Sequence, residues 1–283
     1  MKSAASEATS LDSSGRSGAG RSFRPQSRRL SVPRADAVLY PLATLVVIAV
    51  VWEVGAVAAD SLLIPTFTET VTALGALIFN PRLWEALAIS NQALIVGFTI
   101  ALFVGIPLGL ALGRYRGLAA VANPYLTILL TVPMAGMIPL LVMSVGIGFE
   151  ARVLMVFLFT VIVVIVNARA GVREVDPAII EMARSFGSGE LQLWRQILLP
   201  ASVPAVMVGV RLGLSHAVTG MVIVELLLVA AGIGHLILEY QAFLQPGSLY
   251  ATVVVVVLEA LVLISAANRL AQRAAPWLEP ATR

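Results

Sequence analysis

Few side chains here are equipped for covalent chemistry: one lysine, Lys2, two histidines, His216 and His235, and no cysteine. Without thiols there are no disulfides, thiolate metal sites or cysteine nucleophiles. Two histidines without helical metal spacing do not make a zinc centre. A phosphate-binding loop needs a Gly-rich turn followed by Lys and Ser or Thr, which Lys2 does not supply. The expectation is therefore no catalytic residue, no metal and no cofactor on this chain. The residues whose spacing suggests work lie in Glu181–Pro200, a polar interruption between two long apolar segments. Glu181, Met182 and Ala183 are followed after three residues by Gly187, and after nine more by Ile197-Leu198-Leu199-Pro200. Such a pattern suits non-covalent docking by a short helix in water. Ala183 and Gly187, four apart, would make a face thin enough for close approach. Gly187 and Gly189 permit a sharp exit, and Pro200 suits the first turn of the next helix.

The elements that hold this stretch are membrane spans. With 59% hydrophobic and 12% charged residues in 283, the chain is too apolar for a soluble globular domain. Segments long enough to cross a bilayer run over 38–59, 92–112, 124–145, 152–166, 203–231 and 251–270. This predicts an all-α polytopic protein of six transmembrane helices. Residues 1–36, rich in Ser, Gly and Arg, read as a disordered basic tail near anionic lipid, and 37–283 as the transmembrane domain. A cytoplasmic N-terminus leaves only Arg82 and Arg152 on the outer side. Arg114, Arg116, Arg169, Arg173, Arg184, Arg195 and Arg269 then lie inside, as does the loop at about 173–200. Both termini are expected in the cytoplasm, and the basic charge calls for no nucleic acid.

Within the spans, Gly97, Ala101, Gly105, Gly109 and Gly113 recur every four residues, a stripe suited to close helix packing inside the subunit or across a dimer, with Pro107 inside it. Gly209, Gly213, Ala217 and Gly220 suggest the same in the fifth span. Ionisable groups in a span must face protein or water unless they snorkel. Glu225 is thus a candidate pathway or gating residue, or else a carboxyl group hydrogen-bonded between helices. Arg211 is read as snorkelling or pairing with a helix end, or as an anion contact, and His216 as a cavity donor or a satisfied core residue. Met137, with Met134 and Met143 around Pro133 and Pro139, would make an adaptable constriction or fill the core. Glu53 and Glu259 are read as interhelical partners.

The loop resembles the EAA loop of bacterial ABC importer permeases, departing from the usual Ala at Met182. The segments GIPLGLALGRYRG, NPYLTILLTVPMAGMIPLLVMSVGIG, AGVREVDPAIIEMARSFG and ILLPASVPAVMVGVRLGLSHAVTGMVIVELLLVAAGIGHLI extend the likeness over roughly 52–278. They look like permeases of the nitrate, sulfonate and taurine import group. That resemblance implies the type I permease architecture, with Glu181, Ala183, Arg184, Gly187, Leu199 and Pro200 coupling to an ATPase and Gly105, Gly109 and Gly113 packing helices. It further implies a permease homodimer, two ATP-binding subunits that carry ATP and Mg, and an extracytoplasmic solute-binding protein. The subunit would be a multi-pass protein of the bacterial inner membrane working by alternating access. Ser144, Val145 and Gly146 stand where many relatives carry an aromatic residue and Phe-Gly, and the fourth span lacks a Phe-Pro pair. The implied cargo is a small organic anion (sulfonate, taurine, nitrate or aromatic carboxylate), with a neutral pyrimidine-type vitamin precursor as the alternative. An ion-gradient-driven secondary transporter using Glu225 and Glu259 is the competing class.

Overall fold

The computed structural model describes residues 34–228 and 231–274, in two units, one ending at Val47 and one beginning at Ile48. The first helix, α1 (Arg34–Ala59), starts before the expected tail boundary at 36, and the remainder of that tail, residues 1–33, lies outside the described residues. In the first unit Leu39, Leu42, Leu45 and Val46 are exposed, the outer surface of an apolar helix.

The second unit continues through α2 (Phe67–Ile78), α3 (Pro81–Arg114), α4 (Arg116–Thr131), α5 (Ile138–Val145), α6 (Phe149–Arg173), α7 (Pro177–Ser185), α8 (Glu190–Leu193), α9 (Leu199–Leu228), α10 (Gly232–Ala242) and α11 (Pro246–Ala274). Local chemistry sets the starts. Thr66 and Glu69 form a reciprocal capping box for α2. Asn80 caps α3 with Pro81 at its first position, so an Asn-Pro pair that reads as a breaker begins a helix. Asp176 and Pro177 do the same for α7. α2 packs against α11 and buries Thr70 and Leu77. Glu53 of α1 accepts from the Thr68 amide and hydroxyl, both at 3.0 Å, at the start of α2.

Among the described residues five helices are long and apolar enough to cross a membrane, and a bent helix pair makes a sixth if it counts as one span. α4 and the segment Met134–Val145 meet at 92°. Pro133 interrupts the run and a 3₁₀ turn, Met134–Met137, precedes α5. Unlike this span, α3 runs unbroken through Pro107.

The core is α6 between α3 and α9. Gly97, Gly105, Gly109 and Gly113 of α3 all face α6 of the same chain, where a Cβ would fall 2.6–2.9 Å from Val153, Val164, Ile165 and Val172 atoms respectively. Gly209, Gly213 and Gly220 of α9 meet an adjoining face of α6 at Asn167, Val164 and Phe159, with Val164 touched from both helices. Both small-residue stripes thus serve packing within the subunit.

Gly109→Val is expected to cost about 1–3 kcal/mol or more by overpacking, because the new atoms would run into the Ile165 carbonyl and the Ala168 side chain. Thermal unfolding in detergent checks this: the variant melts lower than wild type, whereas Gly117→Ala, with nothing within 4 Å of its Cβ position, does not.

Candidate functional site

The docking loop begins with α7. Gly187 lies beyond the helix at φ +83°, with its amide bonded to the Arg184 carbonyl at 2.9 Å and the Ser188 amide bonded to the Ala183 carbonyl at 3.0 Å. This is a Schellman ending, and it needs a residue without Cβ strain in the left-handed region. One part of the sequence-based reading changes: Ala183 is buried against Leu193 and Leu198 of its own chain, so it does not offer a thin face to a partner. Gly187 ends the helix in the left-handed region, the sharp exit read from the sequence, and none of the described residues lies within 4 Å of its Cβ position. The side chains that project are Met182 and Phe186, the latter 84% exposed, with Glu181 and Arg184 beside them.

The return path also differs from expectation. Glu190 to Leu227 is one helical run, so Pro200 does not open a helix after a break. Trp194–Leu198 is instead a π-helical turn in which the Leu199 amide reaches back to the Trp194 carbonyl. The wider turn precedes a proline that has no N–H and whose ring crowds the preceding carbonyl. Leu199 and Pro200 are exposed.

Sequence reasoning missed the residue that fixes the loop to the bundle, Glu190. Its carboxylate takes two bonds from Arg114 at the end of α3, at 2.8 and 3.0 Å, and stands 3.4 Å from Arg184 of α7. The fork geometry gives orientation as well as attraction. Arg114, Arg116, Glu181 and Arg184 also line a recess of about 500 Å³ between the α3–α4 corner and α7. In sequence Glu190 looked like an ordinary polar residue, since its partner is 76 positions away.

At the other end of the bundle, Glu225 is wholly buried. Both its oxygens lie 2.8 Å from the Ser90 hydroxyl, Oε2 accepts from the Gly234 amide at 3.1 Å, and Arg152 stands 3.7 Å away. Ser90 Oγ in turn accepts from the Ile233 amide at 2.9 Å. α10 has no side-chain cap of its own, so α3 and α9 supply partners for its first amides and an anion at its positive end. Gly232 and Gly234 leave the room, since a Cβ on either would overlap Glu225. A pathway role is therefore corrected: the carboxylate has no exposed surface and is a tie between helices. Glu259 accepts from Asn91, next to Ser90, through Oε1, while its Oε2 is buried with no hydrogen-bond partner among the described residues. Arg82, by contrast, pairs with Glu239 of α10 at 2.6 Å from an exposed position.

The remaining candidates do not converge with Glu225. His216 is exposed, not in the core, and borders a recess of about 330 Å³ with Pro133, Met134 and Phe159. Met137 is half-buried in the 3₁₀ turn outside that recess, and Arg211 is exposed on α9.

Residues 105–279 match the family described as binding-protein-dependent transport system inner membrane component. The taurine transport system permease protein TauC of Escherichia coli (strain K12) is 29% identical over 89% of this chain and 94% of its own length. The putative aliphatic sulfonates transport permease protein SsuC of the same organism is 32% identical over 77% and 80%. An inward-facing structure of the MetNI methionine ABC transporter superposes with a TM-score of 0.52 at 20% identity, covering 68% of this chain and 93% of that one, a likeness of fold.

Removing one partner of a buried ion pair strands the other charge, so Glu225→Ala is expected to lose about 3–5 kcal/mol and to accumulate poorly. The double variant Glu225→Ala/Arg152→Ala recovers part of that loss. Unfolding midpoints of the two variants, measured with wild type in the same detergent, check the order.

Proposed function

Since the chain belongs to the family of binding-protein-dependent transport system inner membrane components, we propose that it carries a small organic anion, of the sulfonate, taurine, nitrate or aromatic carboxylate class, through the inner membrane. It is a multi-pass ABC importer permease, not an enzyme, and ATP hydrolysis belongs to a separate subunit. In the proposed assembly two copies form a homodimer, each engages one of two ATP-binding subunits that hold ATP and Mg, and an extracytoplasmic binding protein delivers cargo. Cargo class rests on the names of the taurine and sulfonate permeases to which this chain is similar.

One observation carries the coupling role: a rigidly capped short helix presents Phe186 and Met182 to solvent at the arginine-rich end of the bundle. Large apolar side chains there suit the pocket of a protein partner, where a buried aromatic anchor dominates affinity. The arginines at that end, Arg114, Arg116, Arg173, Arg184 and Arg195, support a cytoplasmic placement of it and of both termini by the positive-inside rule. Glu181, Arg184, Leu199 and Pro200 border the same exposed surface. Force applied to α7 passes to α3 and α9 through the Arg114–Glu190 fork and the buried Ala183, Leu193 and Leu198. ATP-driven closure of the partner pair would thereby rock the bundle between inward- and outward-open forms.

Phe186→Ala is expected to weaken ATPase association at least about tenfold, the effect of losing a hot-spot anchor. Gly187→Val is expected to uncouple hydrolysis from transport by straining the Schellman ending. Co-purification with the co-expressed ATPase and binding-protein-stimulated hydrolysis in liposomes test both. Normal association and stimulation in both variants would refute coupling through α7.

A further inference from the structure

The exposed surface of α9 is unlike that of the other spans. α3 shows Val96, Ile100, Phe103, Val104 and Leu108, and α11 shows Val253, Val257, Leu258, Leu261 and Val262, as lipid contact requires. α9 exposes Val208, Leu212 and Leu227 as well, but it also carries Arg211, His216 and Thr219, with half-buried Ser215 between them, at positions that share one helix face. A recess bordered by His216 lies on one side of this face, and on the other is one of about 410 Å³ where Ser215 and Thr219 meet the apolar Val218, Val222, Val256 and Val257.

Depth makes the pattern costly. Gly213 packs against Thr160 and Val164 near the middle of α6, so Arg211 and His216 lie within a turn of mid-span. From the start of the apolar segment at 203 to Arg211 the helix rises about 12 Å at about 1.5 Å per residue, so Arg211 lies two turns into the span. A guanidinium left in lipid there costs at least about 2.5–3.5 kcal/mol. No carboxylate among the described residues pairs with it. Among the described residues of the spans, Glu53 is held by Thr68, Glu225 by Ser90, Gly234 and Arg152, and Glu259 by Asn91, and none pairs with Arg211.

We propose that the α9 face bearing Arg211, Ser215, His216 and Thr219 forms a wall of the water-filled cargo route, with Arg211 as the fixed positive charge that favours anions. This builds on the reading of the chain as an anion importer subunit and assigns the residue that selects charge. Ser215 and Thr219, one and two turns beyond Arg211, present hydroxyls to the same passage, and His216 borders the widened space where Pro133 breaks the neighbouring span. The counter-charge Arg211 lacks is the passing cargo itself.

The absence of cysteine makes the test direct. Single Ser215→Cys, Thr219→Cys and, as a lipid-facing control, Val262→Cys are made in the full chain, assembled with its ATPase and binding protein. Each is treated with a negatively charged sulfonatoethyl and a positively charged trimethylammonioethyl methanethiosulfonate. Cysteines at 215 and 219 are expected to react, the anionic reagent at least about tenfold faster relative to its rate with a free thiol, as a fixed charge in a cleft concentrates counter-ions. Arg211→Gln abolishes that preference and Arg211→Lys keeps it. If Arg211→Gln fails to accumulate, the preference at Thr219→Cys with Arg211 in place still decides. Reactivity as low as at 262, meaning lipid or a tight contact between copies, overturns the proposal, as does labelling without charge preference. A complex that hydrolyses ATP normally yet gives either result refutes this assignment alone. Failure to assemble with any ATPase counts against the importer reading instead, and labelling of the permease alone then still reads the α9 face.

Discussion

Between α3 and α9, helix α6 presents a ridge of Val153, Val156, Val164 and Val172, and its neighbours answer with glycine at the points of closest approach. In a bilayer apolar side chains gain little by leaving lipid for protein, so helices associate through close van der Waals contact and need small residues to reach it. Stiff β-branched side chains on one partner and missing Cβ atoms on the other two meet that need with little side-chain entropy to lose. The three helices are thereby locked in register, and the functional features at both ends of the bundle depend on that register.

Those ends are held by different electrostatics. At one, Arg152, Ser90 and Glu225 are buried together, and the carboxylate acts as the missing cap of α10. Buried charge of this kind is costly unless fully partnered, so the site tolerates little displacement. At the other, Glu190 ties Arg114 and Arg184 while partly open to solvent, where an ion pair contributes little to stability and mainly sets orientation. A rigid end and a softer, oriented end suit the proposed transmission of force from α7 through α3 and α9.

Much of this was legible along the chain because the signals are local. Apolar run length located the five long apolar helices and the bent pair between the second and third of them, and Pro133 lies at the break in that pair. The four-residue recurrence of Gly97 to Gly113 announced a packing face, without saying which helix it meets. Asp176-Pro177 and Gly187-Ser188-Gly189 bracketed a short helix, but its outward face was misassigned, since Ala183 points into the protein and Phe186 away from it. Glu225 was singled out as an ionisable group in lipid, yet its partners Ser90 and Arg152 sit 135 and 73 residues away in sequence and no periodicity connects them. The glycines at 232 and 234, seven and nine residues after it, were the one nearby trace of that contact.

Composition, hydropathy and arginine placement thus determined by themselves that the chain is a helical membrane protein with a water-exposed loop, because bilayer thickness and the cost of burying charge act on each segment separately. Tertiary structure alone decided which polar groups are spoken for and which remain open. Glu225 and Arg211 look alike in sequence as charges within one span, and only the packing of α3, α6 and α10 encloses the first while leaving the second exposed. The physical reason is that a side chain's partners are set by where other helices cross its own, a relation carried by distant residues and absent from any local pattern.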